Sequence, residues 1–264
     1  MDLYMDTFTT GIWNEEASEN PFYAENSFCY GYNVFKDVLG KASYSEYLYL
    51  MFTGQRIAPY HEKLLEKLMI ALAHPGIRHP SVHAAMCASV GGSRSAAALM
   101  ASLAVGAGQS GGAHEVRLSL MLFQSAQQDL NTWAQTLKQV FDPQQIDVWF
   151  DPEHVPGFDP HLKTAAPTTL DALKHLADAA GPESQTQWLL DHYQALEKET
   201  GNGVAITGVT AAALYDLKFT PELAEYFYLF ARLPGAAVQA EEARQNGVKA
   251  FPFFHDALKL QDEA

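Results

Sequence analysis

The chain has 264 residues, 48% of them hydrophobic, which is enough for one large core or two unequal ones. Its 17 basic and 31 acidic residues leave a net charge of −14, which repels phosphate backbones and anionic lipid and argues against nucleic acid or a membrane surface as partner. Two cysteines, Cys29 and Cys87, make no disulfide framework and read as small hydrophobes in a reducing compartment.

The opening MDLYMDTFTTGIW lacks the basic and apolar regions of a signal peptide, and SAAALMASLAVGAG is too short and too glycine-broken to span a bilayer. A cytoplasmic protein is expected. Helical spacing then dominates. HEKLLEKLMIALAH sets Leu64, Leu65, Leu68 and Leu72 on one face. TTLDALKHLADAAG reads as a Thr-capped helix with Leu170, Leu173 and Leu176 apolar and Gly181 as its stop. QWLLDHYQALEKETG repeats the pattern with Trp188, Leu189, Tyr193 and Leu196, stopped by Gly201. TPELAEYFYLFARLPG opens on a Thr cap with Pro221 in its first turn and is predicted to end before Pro234 and Gly235. Strand pairs with two-residue turns are not evident, and short alternating runs such as IDVWF are candidates for minor strands. The pattern predicts a mainly α protein with more than eight helices. Two loops stand out: residues 141–169, with five prolines, and the glycine-rich ETGNGVAITG at 199–208.

The stretch GAGQSGGAHEVRL, residues 106–118, begins with the spacing G-x-G-x-x-G. A dinucleotide-binding turn needs a strand before it, and the preceding Ala, Leu, Met and Ser residues are not strand formers. A P-loop is excluded by the missing Gly-Lys-Ser/Thr. Physically, the small residues allow close helix packing and a sharp turn. Gly111 and Gly112 present backbone N–H groups at a helix start, a favourable place for an anion or a developing oxyanion. Ser110 reads as a cap or a hydrogen-bonding group, and His114 lies one turn beyond it. His74, His79 and His83 fall within ten residues, but two prolines and a glycine break the segment. No Cys-x-x-Cys or His-Glu-x-x-His accompanies them, so no metal site is expected. Arg232 lies on an otherwise apolar helix, where a guanidinium needs an anion: a ligand or a structural salt bridge. Phe251, Phe253 and Phe254 read as an anchor for a dimer or domain contact.

Six segments, in order, resemble the citrate synthase and citryl-CoA lyase superfamily. They are GYNVFKDVLGKASYSEYLYLMFTGQRI, HPSVHAAMCASVGGS, GAGQSGGAHE, VPGFDPHLKTAAP, GNGVAITGVTAAAL, and FARLPGAAVQAEEA with FPFF. The third sits where the family has His-Gly-Gly-Ala-x-Glu, the fourth at its Pro-Gly-Phe-Gly-His loop, and the fifth at its Asn-Val-Asp segment. The resemblance implies an all-α fold and a homodimer. It implies a large helical domain from residues 1–112 and 219–264, a small helical domain inserted at 113–218, and an active-site cleft between them. It also implies carbon–carbon bond chemistry beside a CoA thioester, with an oxoacid as partner. In the family one carboxylate takes a proton from the thioester's α-carbon, two histidines serve the enol and carbonyl oxygens, and arginines hold carboxylates.

The sequence departs from that pattern at the chemistry. The first family histidine corresponds to Ser110, and the second to Pro160 with His161 adjacent. The aspartate corresponds to Val204, after Asn202 and Gly203; an arginine near Ser89 reads Met86; a late histidine reads Gln239. The late arginine is present as Arg232. A valine abstracts no proton, and a serine does not shuttle one near neutral pH. Three readings follow. One is a divergent enzyme with Ser110, His114, Asp159 and His161 as a relocated acid–base set, and Arg232, Asn202, Gly111 and Gly112 holding substrate. The second is a non-catalytic homologue that binds a ligand or regulates a partner. The third is ordinary family activity through residues aligned differently.

Overall fold

The apolar periodicity becomes a helical protein. The computed structural model describes residues 10–133, 135 and 154–251, and among them forms nine helices of ten residues or more. No helix of the described residues is long and apolar enough to cross a membrane. The chain divides at Glu66/Lys67 into two compact units. The boundaries expected at 112/113 and 218/219 fall inside the second.

The first unit opens with a three-stranded antiparallel sheet: β1 (Trp13–Ala17), β2 (Ala24–Cys29) and β3 (Tyr32–Asn33), in that order. Tyr30 and Gly31 join β2 to β3 with φ of 46° and 83°, the doubly positive two-residue turn that suits strand twist. The reading that strand pairs are absent is corrected here. These strands are short and β1 is exposed throughout, so no apolar alternation marks them. Helix α1 (Tyr44–Thr53) starts on a Ser43/Glu46 capping box and stops at Gly54, φ 69°. In α2 (Pro59–Leu72), along which the chain passes from the first unit to the second, Leu64, Leu65, Leu68 and Leu72 are all buried, as their spacing predicts. Cys29 is buried and Cys87 half-buried, both as free thiols.

The second unit contains α3 (Pro80–Val90), α4 (Ser95–Gly106), α5 (Ala113–Ala126), α6 (Pro167–Ala180), α7 (Gln185–Thr200), α8 (Ile206–Asp216) and α9 (Pro221–Asn246). Helix α9 packs on α3, α4 and α5, while α8 packs on α5, α6 and α7. Val82, Ala85, Ala98, Ala236 and Ala240 form one of these contacts, small side chains that let helices approach closely. From Thr207 to Leu214 every residue of α8 is buried, the mark of a central helix. Asp216, at its end, accepts from Gln185 N, Thr186 N and Thr186 Oγ1, fixing the start of α7.

Two helix ends differ from their sequence readings. Helix α6 begins at Pro167 rather than behind a Thr cap, because proline fits the first helical position and Ala166 takes the cap with no side-chain bond. Helix α9 does not stop before Pro234 but runs on to Asn246. Proline removes one ladder donor, and Gly235 N donates to Ala73 O at 2.8 Å, a contact any Cβ at 235 would obstruct. Beyond α9, Phe251 stacks on His83 with ring centroids 5.5 Å apart. Phe253, Phe254 and the IDVWF run lie outside the described residues.

Candidate functional site

The glycine-rich turn leaves α4 and enters α5. A helix rather than a strand precedes Gly106, so the G-x-G-x-x-G spacing is not a dinucleotide turn. Gly112 is the N-cap of α5, and a Cβ there would overlap Gly108 O. Gly111 has φ +70°, open to glycine at no steric cost. Ser110 is exposed and caps nothing among the described residues.

Gly111 is held at both ends. Its N–H donates to Glu115 Oε2. Glu115 is 2% exposed, and its Oε1 accepts from Gly157 N at 2.9 Å and Thr207 Oγ1 at 2.7 Å. His154 Nε2 lies 3.6 Å from Glu115 Oε2, with the His154 side chain nearly buried. At the other end, Gly111 O accepts from Tyr228 Oη at 3.1 Å and Arg232 Nη1 at 3.2 Å. Arg232 Nη1 also donates to Tyr228 Oη, and the guanidinium carbon sits 4.5 Å from the Tyr228 ring centroid. The spacing of four on α9 makes these two residues neighbours. His79, the N-cap of α3, accepts Ser81 N at Nδ1 over 3.2 Å and contacts Ser81 Oγ at 2.8 Å. It also bonds the Gly111 backbone.

The electrostatics are unusual. Arg232 is 6% exposed, and no carboxylate among the described residues pairs with it. Its Nε is buried without a hydrogen-bond partner among the described residues. Burial pulls its pKa below the ordinary value, with the Tyr228 contacts opposing. Burial, and then the nearby Arg232 charge, lower His79 to about 4, so it is neutral at pH 7. Burial pushes Tyr228 up to about 12 against the pull of Arg232. A buried guanidinium with an orphaned N–H is a site for an anion.

The residues read from the sequence are dispersed. His114 Nδ1 lies 3.7 Å from Glu225 Oε1, which faces Arg117 as well. Asp159 Oδ1 accepts His161 N at 2.8 Å, and His161 is exposed. Strands β4 (Phe158–Asp159) and β5 (Gly203–Val204) pair antiparallel, with Phe158 opposite Val204 and Asp159 opposite Gly203. Adjacent residues alternate faces, so Asp159 lies on the other side of the ribbon from Val204. Asn202 is half-buried, with its N–H on Thr200 Oγ1. Among the described residues, the Asp159–His161 contact is the only hydrogen bond within the set Ser110, His114, Asp159 and His161. Gly111 and Arg232 do meet. Gly111 N–H is engaged by Glu115 rather than free. His74, His79 and His83 serve separate ends: His74 accepts Gly76 N, His79 caps α3, and His83 stacks on Phe251. Among the described residues no three His, Cys, Asp or Glu side chains are grouped to hold a metal ion.

The fold defined by this packing is similar to the mainly helical folds of solved citryl-CoA lyase and citrate synthase structures. Citryl-CoA lyase from Hydrogenobacter thermophilus superimposes with a TM-score of 0.72 at 16% identity, over 97% of this chain and 95% of that one. ATP citrate lyase from Methanothrix soehngenii, in complex with citrate and coenzyme A, gives 0.72 at 16% identity, over 98% of this chain and 42% of that one. Citrate synthase from Thermotoga maritima gives 0.58 at 17% identity, over 84% and 59%. No family model and no curated protein matches the sequence.

Proposed function

We propose that this chain is a divergent enzyme of the citrate synthase and citryl-CoA lyase type. It makes or breaks a carbon–carbon bond between an acyl thioester and an oxoacid, with non-standard catalytic residues. The observation that carries this is Arg232, buried with no carboxylate partner and no bond to Nε among the described residues. A substrate carboxylate on that nitrogen supplies the missing counter-charge. His79 accepts Ser81 N at Nδ1, which puts its proton on Nε2, toward the same Gly111 backbone that Arg232 holds. Likeness of fold supports the reaction class.

An acyl group bound as its coenzyme A thioester would supply the carbonyl that takes up the electron pair of the breaking bond. The chain has residues that suit a polyanionic carrier. A pocket of about 410 Å³ is lined by Lys163, Thr164, Tyr193 and Lys198 together with Glu197, whose Oε1 accepts from the amides of Ala165 and Val204; neither lysine forms an ion pair among the described residues. The division into a large domain (1–112 with 219–264) and an inserted small one (113–218), the homodimer and the cytoplasmic location belong to this reading.

A second reading, a carboxylate-binding homologue without catalysis, is favoured by one observation. Val204 is 2% exposed at the position where a base is expected. Two measurements separate the readings. Thermal shift with citrate, oxaloacetate, CoA and acetyl-CoA, on wild type and Arg232→Ala, reports binding. Turnover of citryl-CoA, assayed in both directions, reports chemistry. Protection lost in Arg232→Ala together with turnover supports the enzyme. Protection without turnover supports the binding homologue, and no protection removes both.

A further inference from the structure

We propose that His154 carries the proton in the reaction and that Glu115 is its positioning residue; this rests on the enzymatic reading above. Glu115 is a fully buried carboxylate with three hydrogen-bonded donors, one on Oε2 and two on Oε1. The fourth group it faces is the His154 ring, with Nε2 3.6 Å from Oε2. One carboxylate therefore holds the turn at Gly111 and the turn at Gly157 and faces the His154 imidazole. An imidazole held at one nitrogen by a carboxylate exchanges protons at the other, as in hydrolytic triads. Distances of this kind are long in ligand-free sites and tighten when substrate binds.

The alternatives are placed elsewhere. Ser110 and Val204 carry no base. His161 is exposed, Asp159 is bonded to the His161 amide, and His114 faces Glu225. Glu115, which faces His154, is joined to Arg232 through a single residue. Gly111 gives its N–H to Glu115 and its C=O to Arg232.

The step balances with one group. In cleavage, His154 takes the hydroxyl proton of the substrate's tertiary alcohol. The alcohol C–O bond becomes C=O, and the adjacent C–C bond breaks. Its electron pair moves to the thioester enolate, and the proton returns from the imidazolium to the α-carbon. The products are an oxoacid and an acyl thioester, with no further reactant. Synthesis runs the same transfers backwards.

The test uses the full-length protein with citryl-CoA in both directions, alongside calorimetric binding of citrate. His154→Gln is expected to lower kcat at least about 100-fold while citrate affinity is unchanged. Imidazole added to His154→Ala restores turnover in proportion to its concentration, which a packing role does not allow even where the variant melts low. Glu115→Asp lowers kcat with KM little changed. His154→Gln at wild-type turnover, with Arg232→Ala inactive, overturns the inference and leaves the reading standing. Wild type that binds citrate yet turns over nothing overturns both.

Discussion

Glu115 and Arg232 hold opposite ends of the same glycine: the carboxylate takes the Gly111 N–H, and the guanidinium donates to the Gly111 C=O. Each charge sits on the end of the backbone that its sign favours. Tyr228 doubles the grip at the carbonyl, and Gly157 and Thr207 saturate the second carboxylate oxygen. A turn fixed from α5, α8 and α9 at once is preorganised before any ligand arrives.

Arg232→Ala is expected to fold, because Tyr228 Oη still bonds Gly111 O. It removes a buried, incompletely paired charge, so the melting temperature changes little while protection by citrate disappears. It also removes a charge that holds His79 down, so the His79 pKa rises from about 4. A titration of ring proton resonances by NMR checks the second effect. An unmoved His79 contradicts the electrostatic account.

Gly112→Ala places a methyl group on Gly108 O and destabilises the chain by about 3 kcal/mol or more. Urea unfolding measures it. A variant as stable as wild type means that the turn relaxes without cost.

Glu115→Gln replaces an acceptor of charged hydrogen bonds by a group that turns an N–H₂ toward donors. The expected loss is about 3 kcal/mol in urea unfolding. Glu115→Asp, which keeps the charge, is expected to lose less; the reverse order sinks the argument from charge.

His79 links stability to pH. Its folded pKa, about 4, lies below the ordinary 6.5, so the neutral ring favours the folded state. That contribution is complete above pH 6.5 and is lost as pH falls toward 4. Melting curves of wild type and His79→Gln across this window are expected to converge toward the acid end. Parallel curves exclude the link.

A large share of the fold was legible because helices advertise themselves every third and fourth residue. The leucines of α2 and the Gly181 and Gly201 stops stand where spacing places them. The hairpin at Tyr30–Gly31 is not legible because β2 is half-buried along most of its length and β3 has two residues, so neither shows an apolar alternation. Pro234 reads as a terminator, and only a tertiary bond from Gly235 to Ala73 shows why the helix continues. Within the site, Arg232 was legible as a charge on an apolar helix. Tyr228 was available to the same reasoning, four residues earlier. Glu115 lay inside the quoted GGAHE motif, yet its role depends on Gly157 and Thr207, 42 and 92 residues away. Linear spacing carries no trace of such partners.

Arg232 stands two residues before Pro234, where the helical ladder loses a rung and Gly235 is tethered to Ala73. The lost rung is made good by a bond to another element, and the close approach of Ala73 and His74 to Gly235 pins α9 at its proline. The guanidinium is thus mounted just ahead of an anchored point, and its target carbonyl is fixed by the turn. Both ends of that contact are set by the scaffold, as a vice sets the distance between its jaws.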